Sequence, residues 1–346
     1  MPALNSFSRR SFLSVAAAAS ALALASCAGE DATSSVAGKD GAPGTLNIDF
    51  ATYNPLSLVI KKKGWLEATL AEKNVTVNWL QSAGSNKANE ALRAGAVDVG
   101  STAGSAALLA RANNSPIKTI SLYSQPEWSA LVVGKNSGIK TVADLKGKSI
   151  AATKGTDPYF FLVQALEEAG LSTKDVTVEN LQHADGKAAL ANGSVDAWSG
   201  LDPIMATAEQ EGATLFYRNL DFNTYGFLNA TESFLQNQPE LAQTVVDAYE
   251  KARVWAAANP EETAQILADA AGLKPEVATT VILERSNLDV SGIPGDKQRA
   301  VLTKIGPTFV ELGDVKSQAD VDAALESLLD DSLAQKANPD SIKESA

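Results

Sequence analysis

The 346-residue chain contains a single cysteine, Cys27, and a single histidine, His183. One cysteine excludes an intrachain disulfide. One residue of each kind gives little support to a zinc-ligand cluster or to a Ser-His or Cys-His catalytic set. Positive charge is also scarce: 29 lysines and arginines face 41 acidic residues, and the net charge is −12. The basic surface of a nucleic-acid-binding protein is therefore absent. We interpret His183, between a predicted strand and a predicted helix, as an ordinary loop histidine.

A membrane-spanning apolar run is lacking at the N-terminus, where the run Phe12–Ala25 is shorter than the about 20 residues that a spanning helix needs. This run follows Arg9 and Arg10 and precedes small residues, a pattern typical of a signal peptide. Residues 1–26 are therefore predicted to be a signal peptide. The following residues 27–44, rich in glycine, serine and alanine, are predicted to be a flexible linker.

Two short motifs in this segment resemble bacterial export signals. Leu24-Ala25-Ser26-Cys27 resembles a lipobox, in which the cysteine is lipidated; the alternative is a small-residue cleavage site with an incidental cysteine. SRRSFL (8–13) resembles the twin-arginine signal, and the alternative is the charged region of an ordinary Sec signal. We expect an exported protein, lipid-anchored through Cys27 to the outer face of the cytoplasmic membrane.

From Thr45 onward, predicted strands alternate with predicted helices. The strand-like segments are TLNIDF (45–50), VTVNWL (75–80), AVDVG (96–100), IKTISLY (117–123), SALVVG (129–134), KSIAAT (148–153), VTVENL (176–181) and SVDAWS (194–199). This alternation predicts an α/β fold with mostly parallel sheet and helices on both faces. From about Glu232 to Asp330 the pattern is helical, and the residues from Asp331 are expected to form a frayed polar tail.

The chain also repeats itself. LRAGAVDVGS (92–101) and LANGSVDAWS (190–199) align without a gap, and in each a helix ends at a glycine before a Val-Asp strand. A shorter repeat places Asn54-Pro55 and Asp157-Pro158 before corresponding helices. Together they predict two lobes of the same build. Ligands in open α/β sheets bind outside the carboxyl ends of the strands, so a cleft between two such lobes is the expected binding site.

Taken in order, these segments resemble the substrate-binding proteins of ABC importers for aliphatic sulfonates, taurine and nitrate. The resemblance is carried by NIDFATYNPLSLVIKKKGWLE, ALRAGAVDVGSTAGSAALLA, KTVADLKGKSIAATKGT and LANGSVDAWSGLDP, and it extends roughly from Thr45 to Leu329. It implies a type II periplasmic-binding-protein fold, with two α/β lobes, a ligand cleft between them and extra C-terminal helices. Lobe 1 would comprise 45–127, lobe 2 128–224, the return to lobe 1 with the C-terminal helices 225–330, and the tail 331–346.

The same resemblance places ligand-binding residues at the ends of the cleft-facing strands and at the two crossings between lobes. They are Tyr53, Asn54, Ser82, Gly84, Ser101, Thr102, Glu127, Trp128, Lys154, Gly155, Thr156, Asp157, Trp198, Asp202, Tyr225 and Arg285. Several of them have an alternative, structural role. Ser101, Thr102 and Asp202 are candidate helix caps, and Trp198 is a candidate for packing alone. Lys154 is a candidate for simple solvation, and Arg285 for pairing with Glu284 or another helix.

One segment departs from the pattern of sulfonate-binding members, which tend to have a run of hydroxyl side chains after Lys-Gly. Here Thr156 is followed by Asp157 and Pro158. We expect Asp157 to cap its own helix, with Pro158 at the first helical position. A carboxylate in this place would repel an anion, so a direct contact between Asp157 and the ligand would indicate an amine.

The resemblance implies the extracytoplasmic component of an ABC importer. It would capture a small organic ligand, with an aliphatic sulfonate or taurine favoured, and deliver it to a membrane permease without chemistry. An alternative ligand is cationic or neutral, such as a thiamine-precursor pyrimidine, met by Asp157 or Glu127. A same-fold enzyme of the pyrimidine-forming or menaquinone-pathway type is less favoured, because of the export signal and the lone histidine. A purely structural surface protein is the third alternative. We expect a monomer with no cofactor, no metal and no nucleic-acid partner.

Overall fold

A computed structural model describes residues 44–345, and the strands in this part of the chain form two five-stranded sheets. The strands are β1 Thr45–Phe50, β2 Thr76–Gln81, β3 Val99–Ala103, β4 Ile117–Ser124, β5 Ser129–Val133, β6 Ser149–Ala152, β7 Thr177–Asn180, β8 Ala197–Leu201, β9 Thr214–Tyr217 and β10 Gly226–Thr231. The first sheet has the order β2-β1-β3-β10-β4, and the second has the order β7-β6-β8-β5-β9. We call the first sheet with its helices lobe 1 and the second lobe 2.

Helices follow most of the strands and then dominate the last third of the chain. They are α1 Pro55–Lys63, α2 Trp65–Leu70, α3 Ser85–Arg93, α4 Gly104–Ala112, α5 Asp157–Glu168, α6 His183–Ala191, α7 Ile204–Gln210, α8 Glu232–Asn237, α9 Pro239–Ala258, α10 Pro260–Ala271, α11 Pro275–Thr279, α12 Asp296–Glu311 and α13 Gln318–Leu328. One turn of π-helix, Thr280–Arg285, continues α11. The predicted helical C-terminal region is confirmed.

The two sheets are mixed rather than mostly parallel. In lobe 1, β1 pairs in parallel with β2 and β3, while β10 is antiparallel to β3 and β4. In lobe 2, β6 pairs in parallel with β7 and β8, while β5 is antiparallel to β8 and β9. The prediction of mostly parallel sheet is wrong because β5 and β10 follow the two connections between the lobes. Each of them enters its new sheet against the direction of the βαβ units.

The internal repeat corresponds to one repeated structural motif. Asp98 accepts a hydrogen bond from the amide of Asn47 at 2.8 Å, and Asp196 accepts one from the amide of Ser149 at 2.9 Å. The backbone amides of the same two aspartates donate to the carbonyls of Asn47 and Ser149. These bridges tie each aspartate to the neighbouring strand, and β3 and β8 begin only after them. Both strands therefore lie further along the chain than the sequence pattern predicted.

The hydrophobic core is continuous between the lobes. Leu108 of α4, Ile150 of β6 and Phe160 of α5 belong to one buried cluster with Phe309 of α12. The rings of Phe160 and Phe309 lie 4.7 Å apart between centroids. A second large cluster packs α1, α9 and α10 on the first sheet. Because α4, α5 and α12 meet in one cluster, the strand ends of the two lobes face each other at close range.

The C-terminal segment 331–345 packs against lobe 1. Ser341 donates a hydrogen bond from its hydroxyl to Asp247 of α9 at 2.9 Å, and the amide of Lys343 donates to the hydroxyl of Thr69 at 2.9 Å. The expectation of a frayed tail is wrong for these residues. Polar composition indicated exposure, but polar side chains here form specific bonds to two helices.

No helix among residues 44–345 combines the length and the apolar character that crossing a membrane requires. The predicted signal peptide 1–26, its twin-arginine motif, the lipobox with Cys27 and all but the last residue of the linker 27–44 lie outside the described residues.

Candidate functional site

The carboxyl ends of β1, β4 and β8, the first crossing between the lobes and the π-helical turn meet around a small cavity. Its volume is about 10 Å³, close to that of a single water molecule. It is lined by Thr52, Tyr53, Pro55, Ser124, Pro126, Trp128, Asp202, Val281, Arg285 and Ser286. Four of the predicted ligand-binding residues, Tyr53, Trp128, Asp202 and Arg285, are thus brought together. Arg285 of lobe 1 lies 3.4 Å from Asp202 of lobe 2, so the two lobes are in contact here.

A buried carboxylate, Asp49, which the sequence pattern does not single out, lies at the centre of hydrogen bonds that involve three predicted residues. Asp49 accepts hydrogen bonds from the hydroxyl of Ser82 at 2.8 Å and from both the amide and the hydroxyl of Ser101 at 2.9 Å. The hydroxyl of Tyr53 donates to the carbonyl of Ser101 at 3.0 Å. Burial raises the pKa of Asp49 to about 6, although these bonds oppose the shift. The available signal for Asp49 in the sequence was an acidic residue between the apolar residues Ile48 and Phe50 of a strand.

Thr102 and Asn54 also use their polar groups within the protein. The hydroxyl of Thr102 accepts a hydrogen bond from the side-chain amide of Asn229 at 2.8 Å. Asn54 accepts one from the amide of Ser57 at 3.2 Å and therefore caps α1, while its own amide donates to the hydroxyl of Tyr249 at 3.0 Å. The capping alternative for Ser101 and Thr102 is wrong, because α4 begins at Gly104 without a side-chain cap.

Asp157 does not cap its helix. It is the first residue of α5, Thr156 holds the N-cap position, and no side chain caps this helix. The carboxylate instead accepts hydrogen bonds from the hydroxyl of Ser105, the indole of Trp128, and both the amide and the hydroxyl of Thr224. Burial raises the pKa of Asp157, and these bonds oppose the shift. The predicted cap is wrong because donors outside the helix satisfy the carboxylate.

The residues before Asp157 form a turn whose polar groups also face inward. Gly155 has a φ of 74°, which favours glycine, and the hydroxyl of buried Thr156 donates to the carbonyl of Thr153 at 2.6 Å. Lys154 is exposed, and its ammonium lies 5.8 Å from the ring centroid of Tyr159. The side chain of Lys154 is therefore exposed to solvent, as the structural alternative for this residue predicts.

Trp198 packs in the core of lobe 2. Its side chain is buried in a cluster with Val132, Ala151 and Met205. The indole nitrogen lies 2.7 Å from the position that a Cβ at Gly186 would take. These contacts are those of the packing alternative for Trp198, and the side chain does not line the cavity. The side chain needs the space that the absent Cβ at Gly186 leaves.

His183 and Gly84 form a contact between the lobes. His183 is the first residue of α6 and is buried, and its Nε2 lies 3.0 Å from the position of a Cβ at Gly84. Its Nδ1 lies 3.2 Å from the hydroxyl of Thr153. Burial lowers the pKa of His183 to about 4. The interpretation of His183 as an ordinary loop histidine is wrong.

Two predicted residues of the crossings lie apart from the cavity. Glu127 accepts two hydrogen bonds from Arg218, at 2.9 and 2.7 Å, in a partly exposed pair. Tyr225 is buried in the cluster that contains Phe227 and Leu302. Neither residue lines the cavity, so these two assignments are not supported by the geometry.

Arg285 and Asp202 form a buried ion pair at the cavity. Arg285 contacts Asp202 at 3.4 Å and Glu209 at 2.5 Å, so it pairs with these residues and not with Glu284. Asp202 also accepts a hydrogen bond from the amide of Ala206 at 2.8 Å in the first turn of α7, although Pro203 and not Asp202 holds the N-cap position. Burial raises the pKa of Asp202 to about 6 despite the guanidinium beside it.

Two polar atoms of cavity-lining residues have no hydrogen-bond partner within residues 44–345. They are the hydroxyl oxygen of Ser124 and Nε of Arg285, and both are buried. An unpaired buried donor is costly, so such atoms commonly mark a place for a ligand or a water molecule. Within residues 44–345, no cluster of three or more His, Cys, Asp and Glu side chains is arranged to hold a metal ion.

Known proteins share this architecture. The chain is similar to the alkanesulfonate-binding protein SsuA from Xanthomonas axonopodis pv. citri bound to MOPS, with a TM-score of 0.74 and 25% identity over 82% of this chain and 98% of that chain. It is similar to the periplasmic aliphatic sulphonate binding protein SsuA from Escherichia coli, with a TM-score of 0.69 and 25% identity over 81% and 91% of the two chains. The desulfurization enzyme DSZB shares the fold, with a TM-score of 0.63 and 15% identity over 85% of this chain and 98% of that chain.

Curated relatives agree in sequence. A Bacillus subtilis protein named as an aliphatic sulfonates-binding protein is 32% identical over 229 residues, which span 65% of this chain and 69% of the relative. An Escherichia coli protein of the same name is 28% identical over 247 residues, which span 70% and 77% of the two chains. The predicted type II periplasmic-binding-protein fold is confirmed. Since the family model described as NMT1/THI5 like matches residues 56–263, the chain belongs to the NMT1/THI5-like family.

Proposed function

We propose that this protein is the extracytoplasmic binding component of an ABC importer. It captures a small organic sulfonate between its two lobes and delivers it to a membrane permease. The relatives named for aliphatic sulfonates support the ligand class. The observation that carries the proposal is the pair of unpartnered buried atoms at the cavity, the hydroxyl of Ser124 and Nε of Arg285. Both can donate to an oxyanion.

The ligand enters when the lobes separate, because the cavity of about 10 Å³ is too small for an organic sulfonate. The lobes then close around the sulfonate less tightly than they do in this structure, and the ligand meets the donors at the end of β4 and in the π-helical turn. A ligand shifts this opening equilibrium by the difference between its affinities for the closed and the open form. The surface completed by closure is what the permease recognises.

The local charge sets the pH at which a sulfonate binds best. The charge of Arg285 is shared between Asp202 and Glu209, so an incoming anion meets excess negative charge. The pKa of Asp202 is already raised to about 6, and a neighbouring anion raises it further. Sulfonate binding is therefore accompanied by proton uptake at Asp202 and strengthens as the pH falls from 7.5 to 5.5.

Three finer features belong to the same proposal. Cys27 carries a lipid anchor, the protein is a monomer, and the bound ligand leaves unchanged. A binding role is supported over catalysis because residues 44–345 contain no cysteine and their one histidine, His183, packs at a contact between the lobes. Although DSZB is an enzyme, its likeness to this chain is one of fold.

The proposal is tested by isothermal titration and thermal melting in Tris-chloride, because MOPS and related buffers are themselves sulfonates. Ligands are methanesulfonate, ethanesulfonate, taurine, nitrate and a thiamine-precursor pyrimidine. A sulfonate at 100 times its Kd should raise the free energy of unfolding by about 2.7 kcal/mol. Absence of any sulfonate response at millimolar concentration contradicts the ligand class. A response to the pyrimidine alone favours the cationic or neutral alternative.

Variants locate the binding site. Ser124→Ala removes a hydroxyl that has no partner and should weaken sulfonate binding about fivefold, with little loss of stability. Arg218→Gln is the matched surface control, since Arg218 pairs with Glu127 away from the cavity, and it should leave the affinity unchanged. Equal affinities in the wild type and Ser124→Ala would contradict the assigned site.

A further inference from the structure

A buried carboxylate of lobe 2 is held by donors from outside that lobe. Asp157 lies at the start of α5, and one of its oxygens accepts hydrogen bonds from the hydroxyl of Ser105 in α4 and the hydroxyl of Thr224 at 2.8 Å. The other oxygen accepts bonds from the indole of Trp128 at 2.9 Å and the amide of Thr224 at 2.7 Å. Ser105 belongs to lobe 1, and Trp128 and Thr224 lie on the two connections between the lobes.

All four groups act as donors toward Asp157. The hydroxyl of Thr224 accepts a hydrogen bond from the amide of Ser105 at 3.1 Å, so its own proton is directed to the carboxylate. The indole of Trp128 can only donate. None of the hydrogen-bond partners of Asp157 is cationic, so neutral donors alone stabilise its charge. At most 3% of the surface of each of these four residues is exposed.

This arrangement has the chemistry of an oxyanion-binding site. Donors from several elements converge on two oxygens of one anion, as protein groups do around a bound sulfonate or phosphate. We propose that Ser105, Trp128 and Thr224 form an oxyanion site whose resident occupant is the Asp157 carboxylate. Asp157 is thus an internal anion that holds lobe 2 against lobe 1 and the connections.

Two consequences follow for ligand selection. The anionic group of an external ligand is excluded from this site, because a second anion would meet a filled donor set and a like charge. The free protein also has a larger closed population than it would have without Asp157. The donor set around Asp157 does not depend on which ligand the cavity binds. A failed test here would therefore leave the proposed function unaffected, and the reverse also holds.

Chemical rescue tests this inference. Asp157→Ala removes the carboxylate and leaves a space that formate fits. In Tris-chloride the variant should melt below the wild type and show a larger radius of gyration by small-angle scattering. Added formate should restore both quantities, acting at concentrations at least about tenfold lower than chloride, whereas the wild type should respond equally to the two salts. Methanesulfonate and sulfate extend the series to larger oxyanions.

Two further variants keep the result interpretable. Asn54→Ala alters the corresponding position of lobe 1, where the side chain meets no converging donor set, and its lost stability should not return with formate. Ser105→Ala removes one donor without making a new space, so it should increase the radius of gyration and show no formate response.

Several results would overturn the proposal. One is an Asp157→Ala protein with the melting temperature and scattering of the wild type. Another is a destabilised variant that no oxyanion restores. If the variant is insoluble, refolding is carried out in formate and in chloride: selective recovery in formate supports the site, and failure in both rejects it.

Discussion

Two helix starts that look alike in sequence behave differently in the two lobes. Asn54-Pro55 follows β1 and Asp157-Pro158 follows β6. Asn54 caps its own helix and donates to Tyr249 within lobe 1. Asp157 leaves its helix uncapped and binds donors outside lobe 2. An amide has both a donor and an acceptor and is satisfied locally. The buried carboxylate of Asp157 needs several donors, and here they come from lobe 1 and from the two connections.

The largest expected effect comes from removing these two side chains in turn. Asp157→Ala leaves four buried donors without an acceptor and should lower the free energy of unfolding by about 3–5 kcal/mol in chloride buffer. Asn54→Ala removes one cap and one side-chain bond and should cost about 1–2 kcal/mol. Urea denaturation of both variants measures the difference. Equal losses would show that the two positions are equivalent despite their different contacts.

The next effect compares the first residues of α3 and α6, Ser85 and His183. The folded pKa of His183 is about 4, against 6.5 in the unfolded chain, so the unfolded state binds more protons between these values. The wild type should therefore lose about 3 kcal/mol relative to His183→Gln as the pH falls from 6.5 to 4. Asp49 and Asp202, whose pKa values shift in the opposite direction, are common to both proteins and cancel.

Ser85→Ala is the matched control for that measurement. Ser85 accepts a hydrogen bond from the amide of Ala103 at 2.9 Å and does not titrate. Its loss should lower stability by about 1 kcal/mol at every pH from 4 to 6.5. A His183→Gln variant with the pH profile of the wild type would show that His183 is not the proton-binding group.

A smaller effect on stability is expected at two equivalent positions of the lobes, Asp98 and Asp196. Asp98 and Asp196 bridge to neighbouring strands in the same way, so Asp98→Ala and Asp196→Ala should each cost about 1 kcal/mol. Thermal melts of the two variants should be close. A difference above about 2 kcal/mol would mean that the repeated motif supports the two sheets unequally.

The smallest effect concerns two exposed lysines. Lys61 lies 4.9 Å from the ring centroid of Phe50 in lobe 1, and Lys154 lies 5.8 Å from that of Tyr159 in lobe 2. Substitution of either by methionine should change stability by at most about 1 kcal/mol. Neither should alter sulfonate affinity in a titration. A loss of sulfonate affinity in Lys154→Met alone would indicate that Lys154 contacts the ligand.

Local features of this fold were predictable from the sequence. Gly95 and Gly193 mark the ends of repeated helices, and both have a positive φ that glycine adopts easily. The Val-Asp repeats located the bridges at Asp98 and Asp196, although not the first residue of each strand. These features depend on neighbouring residues, so the sequence pattern contained them.

The site was less predictable because its contacts join distant segments. The donors to Asp157 come from Ser105, Trp128 and Thr224, and no local pattern indicates which way its carboxylate turns. Trp198 satisfies the pattern of a ligand platform as well as that of a core residue. Only its packing against Gly186 distinguishes the two roles.

The strand order has a consequence for how the chain folds as it is synthesised. All five strands of lobe 2 lie between residues 129 and 217, whereas β10 at Gly226–Thr231 is inserted between β3 and β4 of lobe 1. Lobe 1 also receives its last contacts from segment 331–345. During N-to-C synthesis, the sheet of lobe 2 can therefore close first. The first strands of lobe 1 are synthesised earlier, but their sheet lacks β10 until lobe 2 is complete.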